Sequence, residues 1–304
     1  MSANSTVFVV AVPSAVVGAA SFGLASAVQQ RATKEVPPAR TLNPRLLLEL
    51  VRKPVWVASV LTVVVGLSLQ VVALAFGPLV LVQPLLVSTV LFGAMFAAWM
   101  ARRRLDGVLV LAALGCVGGL AAFLVLAQPS GQGGDFNGTR IFPLALVLIL
   151  LVVASLLVAT WFSGEIHVLA LALATGVFYG VTAGLIKVVA AQIRAGGLGE
   201  PFLHWTIYVV CVIGPVGFLL SQNTFQQGRL ISPALAVITS VDPLVGIAIG
   251  VNWLGEQVQS YPGALAGEAV AAVVLIGAIA VLTHRGEHLR QVADRADSAE
   301  STWG

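Results

Sequence analysis

Residues 239–246 read Thr-Ser-Val-Asp-Pro-Leu-Val-Gly (TSVDPLVG) and sit inside a long apolar run. Asp242 is an acid. Pro243, directly behind it, brings no backbone donor and crowds the carbonyl four residues back, that of Thr239. Ser232-Pro233 reads as a helix start, with Ser as the cap and Pro in the first turn. Asp242 then lies about ten residues, roughly 15 Å, along the axis, near the centre of a bilayer core about 30 Å thick. A kink at Pro243 would turn carbonyls near Thr239 and Ser240 toward new partners. An acid, a hydroxyl and turned carbonyls make an oxygen-rich place that suits a proton or a hard cation. The bland alternative is that Asp242 is protonated, or bonds a neighbouring helix, and only fixes packing. Intramembrane acids are costly and mark function by default, so Asp242 is the leading candidate site residue.

The surrounding composition supports a membrane setting. The chain has 304 residues, of which 58% are hydrophobic and only 10% charged, with a mean hydropathy of +0.98. Soluble domains carry about 25% charged residues. The chain therefore reads as an all-α integral membrane protein. Apolar stretches of span length predict about nine transmembrane helices: 7–28, 55–76, 78–100, 107–127, 141–161, 166–190, 203–222, 230–255 and 263–283. Trp56, Trp99, Trp161, Trp205 and Trp253 fall at segment ends, where an interfacial aromatic belt belongs.

Charge orients the bundle. Thirteen Lys and Arg fall on the side that holds the loops after segments one, three, five and seven and the C-terminus, against Arg140 and Arg194 on the other side. The positive-inside rule places the N-terminus outside and the C-terminus in the cytoplasm of a cell-membrane protein. The pI near 9.2 thus reflects topology, and no nucleic-acid partner is expected. The loop 29–54 can touch anionic lipid, and the start MSANST lacks the basic region of a cleaved signal peptide. Cys116 and Cys211 lie inside apolar segments and read as small buried residues. Sequons at Asn4 and Asn137 fall on the expected outer side.

The chain resembles itself. SFGLASAVQQ (21–30) aligns with FYGVTAGLIK (178–187), pairing Gly23 with Gly180, Ala27 with Gly184 and Gln30 with Lys187. VQPLLV in segment three parallels VDPLVG in segment eight, so Gln83-Pro84-Leu85 answers Asp242-Pro243-Leu244. These matches predict two four-helix repeats joined by one extra helix. That odd crossing makes the repeats inverted, the plan of many secondary transporters. The expected divisions are 1–127, the first repeat; 128–162, an outer loop and linking helix; 163–284, the second repeat; and 285–304, a cytoplasmic charged tail. Gly176, Gly180 and Gly184 recur on one helix face, as do Gly115 with Gly119 and Gly246 with Gly250. Small residues at this spacing let helices approach closely.

Other polar residues in or beside spans are pathway candidates: Gln70, Gln83, Gln222, Asn223, Tyr179 and Lys187. The amides alternatively hydrogen-bond across helices for under about 1 kcal/mol each. Lys187 is expected near the outer membrane edge, where its stem lets the ammonium snorkel to water, with an anionic substrate as the second reading. Pro84 and Pro243 are expected helix breaks. Glu256 and Glu268 read as interfacial. HRGEH (284–288) fits a zinc-peptidase spacing but follows the last span without a third ligand. No catalytic set appears elsewhere, so neither enzyme activity nor a cofactor is expected.

KPVWVASVLTVVVGLSLQVVALAFGPLVLVQPLL (53–86) resembles the NIPA-type magnesium transporters, a branch of the drug/metabolite transporter superfamily. The marks are Pro54-Val55-Trp56, Gly66, Phe76, Pro78, Val82, Pro84-Leu85 and then LGC at 114–116. QNTFQQGRLISPALAVITSVDPLVGIAIGVNWLGE (222–256) is similar to the second repeat of bacterial members. The resemblance implies a helical-bundle carrier. Where NIPA-type sequences carry an acid and an Asn in segment two, this chain has Leu67 and Gln70, and RRRL stands where they carry Glu after segment three. A divalent cation thereby loses oxygen charge, which Asp242 partly restores.

The leading expectation is a carrier that moves a small solute by alternating access, with Asp242, Thr239 and Ser240 as the proton or cation site. A magnesium carrier, with Asp242 as a metal ligand, is the alternative. A non-transporting membrane scaffold comes third. Membrane lipid and the solute or ion are the expected partners.

Overall fold

The computed structural model describes residues 7–34, 51–100, 141–226 and 231–257, with positions 107, 111, 115, 118–119, 136, 270, 273–274, 277 and 281. Segments 107–127 and 263–283 are thus described only at scattered positions. The charged tail, Glu268, Cys116, both sequons and HRGEH lie outside the described residues.

The described residues are almost wholly helical. A π-helical turn at Val7–Ala11 leads into α1 (Val12–Lys34), followed by α2 (Pro54–Phe76), α3 (Leu79–Leu86) and α4 (Thr89–Met100). Then come α5 (Ile141–Trp161), α6 (Glu165–Gly196), a 3₁₀ turn at Glu200–Leu203, α7 (Trp205–Gln226) and α8 (Ile231–Asn252). Among the described residues, six helices are long and apolar enough to cross a membrane, with α3 and α4 counted as one crossing. Apolar side chains cover the outside of α2 and α5, Leu61 at 66% and Phe142 at 88% exposure among them. That pattern suits lipid and not water, and it makes the chain an integral membrane protein.

Segment three is one apolar run in sequence but two helices in space. Pro84 sits inside α3, and the ladder gives out just past it: Val87 N donates to Pro84 O and Ser88 N to Leu85 O, three residues back rather than four. Pro243 behaves differently. The break expected there is absent, because α8 runs helically from Ile231 to Asn252 with Pro243 inside it. Neighbouring helices hold such a proline in place in a membrane bundle. Ile231, Ser232 and Pro233 are already helical in the described part of α8, so Ser232 is not its cap.

α1 packs against α2 and against α3 and α4, while α6 packs against α7 and α8. The glycine face of α6 explains the second pairing. A Cβ at Gly176 would lie 2.8 Å from Val241 Cβ, one at Gly180 2.6 Å from Val245 Cβ, and one at Gly184 2.6 Å from Ile249 Cγ2. Three successive turns of α8 thus rest on bare backbone, which lets dispersion contacts build where lipid offers no hydrophobic drive. Gly23 does the same for α1 against Thr89, Phe92 and Gly93 of α4. Across these groups α3 meets α8, and α2 meets α6. α5 packs mainly on α6 and buries only Leu148, Ser155 and Ala159.

Trp99, Trp161 and Trp205 are exposed near helix ends, as an aromatic belt requires, but Trp56 and Trp253 are buried. Trp56 lies against Phe218, and Trp253 against Phe136, which stacks on Trp205. Cys211, expected to be buried, is exposed on α7.

Candidate functional site

The two similar motifs meet in space. Gln83 of VQPLLV lies against Gly246 of VDPLVG, where a Cβ would come within 2.6 Å of Gln83 Cγ. Gly246 is one turn beyond Asp242 on the same face of α8. Gln83 is 1% exposed and Asp242 is half-buried. Gln83 Nε2, a donor, and Asp242 Oδ1, an acceptor, are both buried and neither has a hydrogen-bond partner in the protein. Such atoms are costly and rare in native structures. Here two of opposite kind come one from each similar segment, Gln83 lying about one helical turn from Asp242 along α8.

Other polar groups extend from this pair toward one end of the bundle. Tyr179 on α6 lies near Ser221 of α7 and within electrostatic reach of Asp242. Next along α7, Gln222 Nε2 donates to Gln29 Oε1 at 3.2 Å, leaving Gln222 Oε1 buried without a partner. Asn223 Nδ2 donates to Leu219 O at 2.7 Å, and its Oδ1 is likewise unpartnered. Thr239 and Ser240 are half-buried on α8, a turn or less before Asp242. Gln70 is buried on α2. Among the described residues, no group of three His, Cys, Asp or Glu side chains is gathered for a metal ion.

Charged groups hold the opposite end. α2 stops at Gly77-Pro78, because proline cannot continue the helical ladder, and α3 starts at once. Lys187 does not snorkel. It is 3% exposed, and its Nζ donates to Leu74 O at 2.7 Å and Gly77 O at 2.6 Å. Arg194 donates to Ala75 O and lies over the Phe76 ring, 5.2 Å from its centre. Glu256, expected at the interface, is 3% exposed, and its two oxygens accept from Leu79 N at 2.7 Å and Val80 N at 2.9 Å. Cations thus cap the negative end of α2 and an anion caps the positive end of α3. Burial pushes the Glu256 carboxyl above its ordinary range, while the two backbone donors and Lys187 act against that push.

The order of these groups along the bundle follows from helical rise. Ala11, just ahead of α1, lies at Gly77, where a Cβ would be 2.9 Å from its own. Gln29 is then roughly 27 Å from the α2–α3 corner, and Asp242 roughly 15 Å from the Glu256 end of α8. The interior therefore carries a charged clamp at one end, the Gln83–Asp242 pair in the middle and the Gln29–Gln222 amides at the other end.

Asp242 is conspicuous in sequence as an acid in an apolar run, and Gln83 through its parallel motif. Glu256, Arg194, Ser221 and Gln29 are not. The bonds of Lys187 and Glu256 cross more than a hundred residues. The local signal was Gly77-Pro78, a helix stop whose unpaired backbone groups call for charges of opposite sign.

No family model matches the chain, and no solved structure matches it. It is similar to an uncharacterised protein of Corynebacterium glutamicum, 27% identical over 263 residues that make up 84% of this chain and 91% of that protein. A more distant similarity, 23% over 256 residues, joins it to the probable magnesium transporter NIPA6 of Arabidopsis thaliana, covering 79% of this chain and 77% of that one.

Proposed function

We propose that this protein is a membrane transporter that moves a small solute by alternating access through the interior between α3 and α8, with Asp242 as its proton or cation site. The observation that carries the reading is the Gln83–Asp242 pair. Two buried polar atoms of opposite kind, on matching segments that meet at Gln83 and Gly246, stand without protein partners. A site built for a passing proton, ion or polar solute leaves such groups to be satisfied by the cargo. The packing suits two inverted repeats, since α1 and α6 each gather the helices that follow them. The charge asymmetry then gives an outer N-terminus and a cytoplasmic C-terminus.

Magnesium is the second reading, favoured by the similarity to the Arabidopsis protein. Magnesium keeps several of its waters and needs only one or two carboxylates, so Asp242 with hydroxyl and amide oxygens suits a partly hydrated ion.

Flux into proteoliposomes tests both readings, with wild type beside Asp242→Asn and with and without a proton gradient. Magnesium flux that falls at least about tenfold in the variant makes the protein a magnesium carrier with its site at Asp242. If magnesium does not move, a panel of small solutes under the proton gradient follows, and uptake lost in Asp242→Asn supports the first reading. No Asp242-dependent flux of any kind overturns both and leaves a membrane scaffold.

A further inference from the structure

We infer that the corner between α2 and α3 is a seat for a monovalent cation, which the chain fills with its own Lys187 ammonium. The seat is made of oxygen. α2 ends at Gly77, so its last carbonyls have no helical donors and form the negative end of the helix. Two of them, Leu74 O and Gly77 O, hold Lys187 Nζ at 2.7 and 2.6 Å. A third, Ala75 O, is taken by Arg194, which narrows the corner to a single small ion. The Glu256 carboxylate is within electrostatic reach of the ammonium, yet both its oxygens are engaged by the first N–H groups of α3. It supplies charge to the seat without closing round the ion.

These features select the occupant. A buried cation needs close oxygen partners and a nearby negative charge, and both are present. A divalent ion takes at least one carboxylate as a direct ligand, and here both Glu256 oxygens are held by backbone donors, so the seat suits a single positive charge. The nitrogen–oxygen distances are those of ammonium and of inorganic ions of similar size, such as potassium. The corner that joins α2 and α3 to α6 and α8 is thus closed by a cation on a tether and needs none from solution. This inference does not depend on transport. It makes Lys187 a covalent counter-ion and not a ligand for an anionic substrate, since two of its three donors are spent on the carbonyls of this corner.

Removing the ammonium while leaving its space open tests this. Lys187→Ala is expressed and purified with methylammonium chloride throughout, then exchanged into methylammonium, potassium or N-methylglucamine chloride at equal ionic strength, and thermal unfolding is measured. The expected result is a midpoint higher by roughly 5 °C in saturating methylammonium or potassium than in N-methylglucamine, a cation too large for the seat. Wild type, whose seat is filled, and Lys187→Met, whose side chain fills the space without charge, shift by less than about 1 °C. A Lys187→Ala protein that does not respond, that responds no more than the other two, or that cannot be recovered folded even in methylammonium overturns the inference.

Discussion

At Gly180 a single methyl group sets how closely α6 and α8 lie. A Cβ there would meet Val245 Cβ at 2.6 Å and Asp242 O at 2.7 Å, both on a helix held by its own ladder. Gly180→Ala should therefore lower stability in detergent by about 1–3 kcal/mol, despite the better helix propensity of alanine. Gly214→Ala on α7 is the contrasting case. Its nearest neighbour would be Thr182 Cγ2 at 3.9 Å, an ordinary contact, so its unfolding midpoint should equal or exceed that of wild type. Equal loss in both variants would mean that the glycine face of α6 is not what seats α8. The spacing of Gly176, Gly180 and Gly184 announced a close helix contact in the sequence, but not which helix makes it. Asp242 was legible for a similar reason, as a charge where charges are expensive. The roles of Lys187 and Glu256 were not, because a capping bond depends on which distant helix end arrives beside the side chain.

Among the described α-helices, α3 is the shortest. All of its residues from Leu79 to Leu85 are buried, and its first two N–H groups depend on Glu256. Glu256→Ala removes both acceptors and strips the negative partner from the corner, so it should destabilise the protein by about 3 kcal/mol or more. Glu256→Gln keeps one carbonyl oxygen and should cost clearly less, an order that thermal unfolding of the purified variants reads directly. Alanine and glutamine variants of equal stability would place the cap of α3 elsewhere. Hydropathy marked residues 78–100 as one span, and the split into α3 and α4 was beyond it, because an apolar average cannot register where a ladder tightens and turns at Val87 and Ser88. The same rule over-reached at Pro243. There α8 stays whole, seated turn by turn on the bare face of α6.

For the molecule as a whole, the contacts of α2 and α3 with α6 and α8 join its earlier and later halves. Between α5 and α6 the chain passes through Phe162, Ser163 and Gly164, all exposed, with Gly164 at a positive φ of 73°. A chain divided after Ser163 should therefore reassemble when residues 1–163 and 164–304 are co-expressed, with an affinity tag on either piece recovering both. Recovery of the tagged piece alone would show that the interior contacts do not suffice without the covalent link. Overall membrane architecture was legible from composition, because lipid demands apolar helices of one length. The meeting of Gln83 with the Asp242 face was legible only as a likeness between two motifs. α4 is locked to α1 through Gly23, while α3 lies on α8, and only Val87 and Ser88 separate α4 from α3. Any torque between those two partners is delivered to a two-residue joint, whose short three-residue bonds stretch before the longer levers on either side bend.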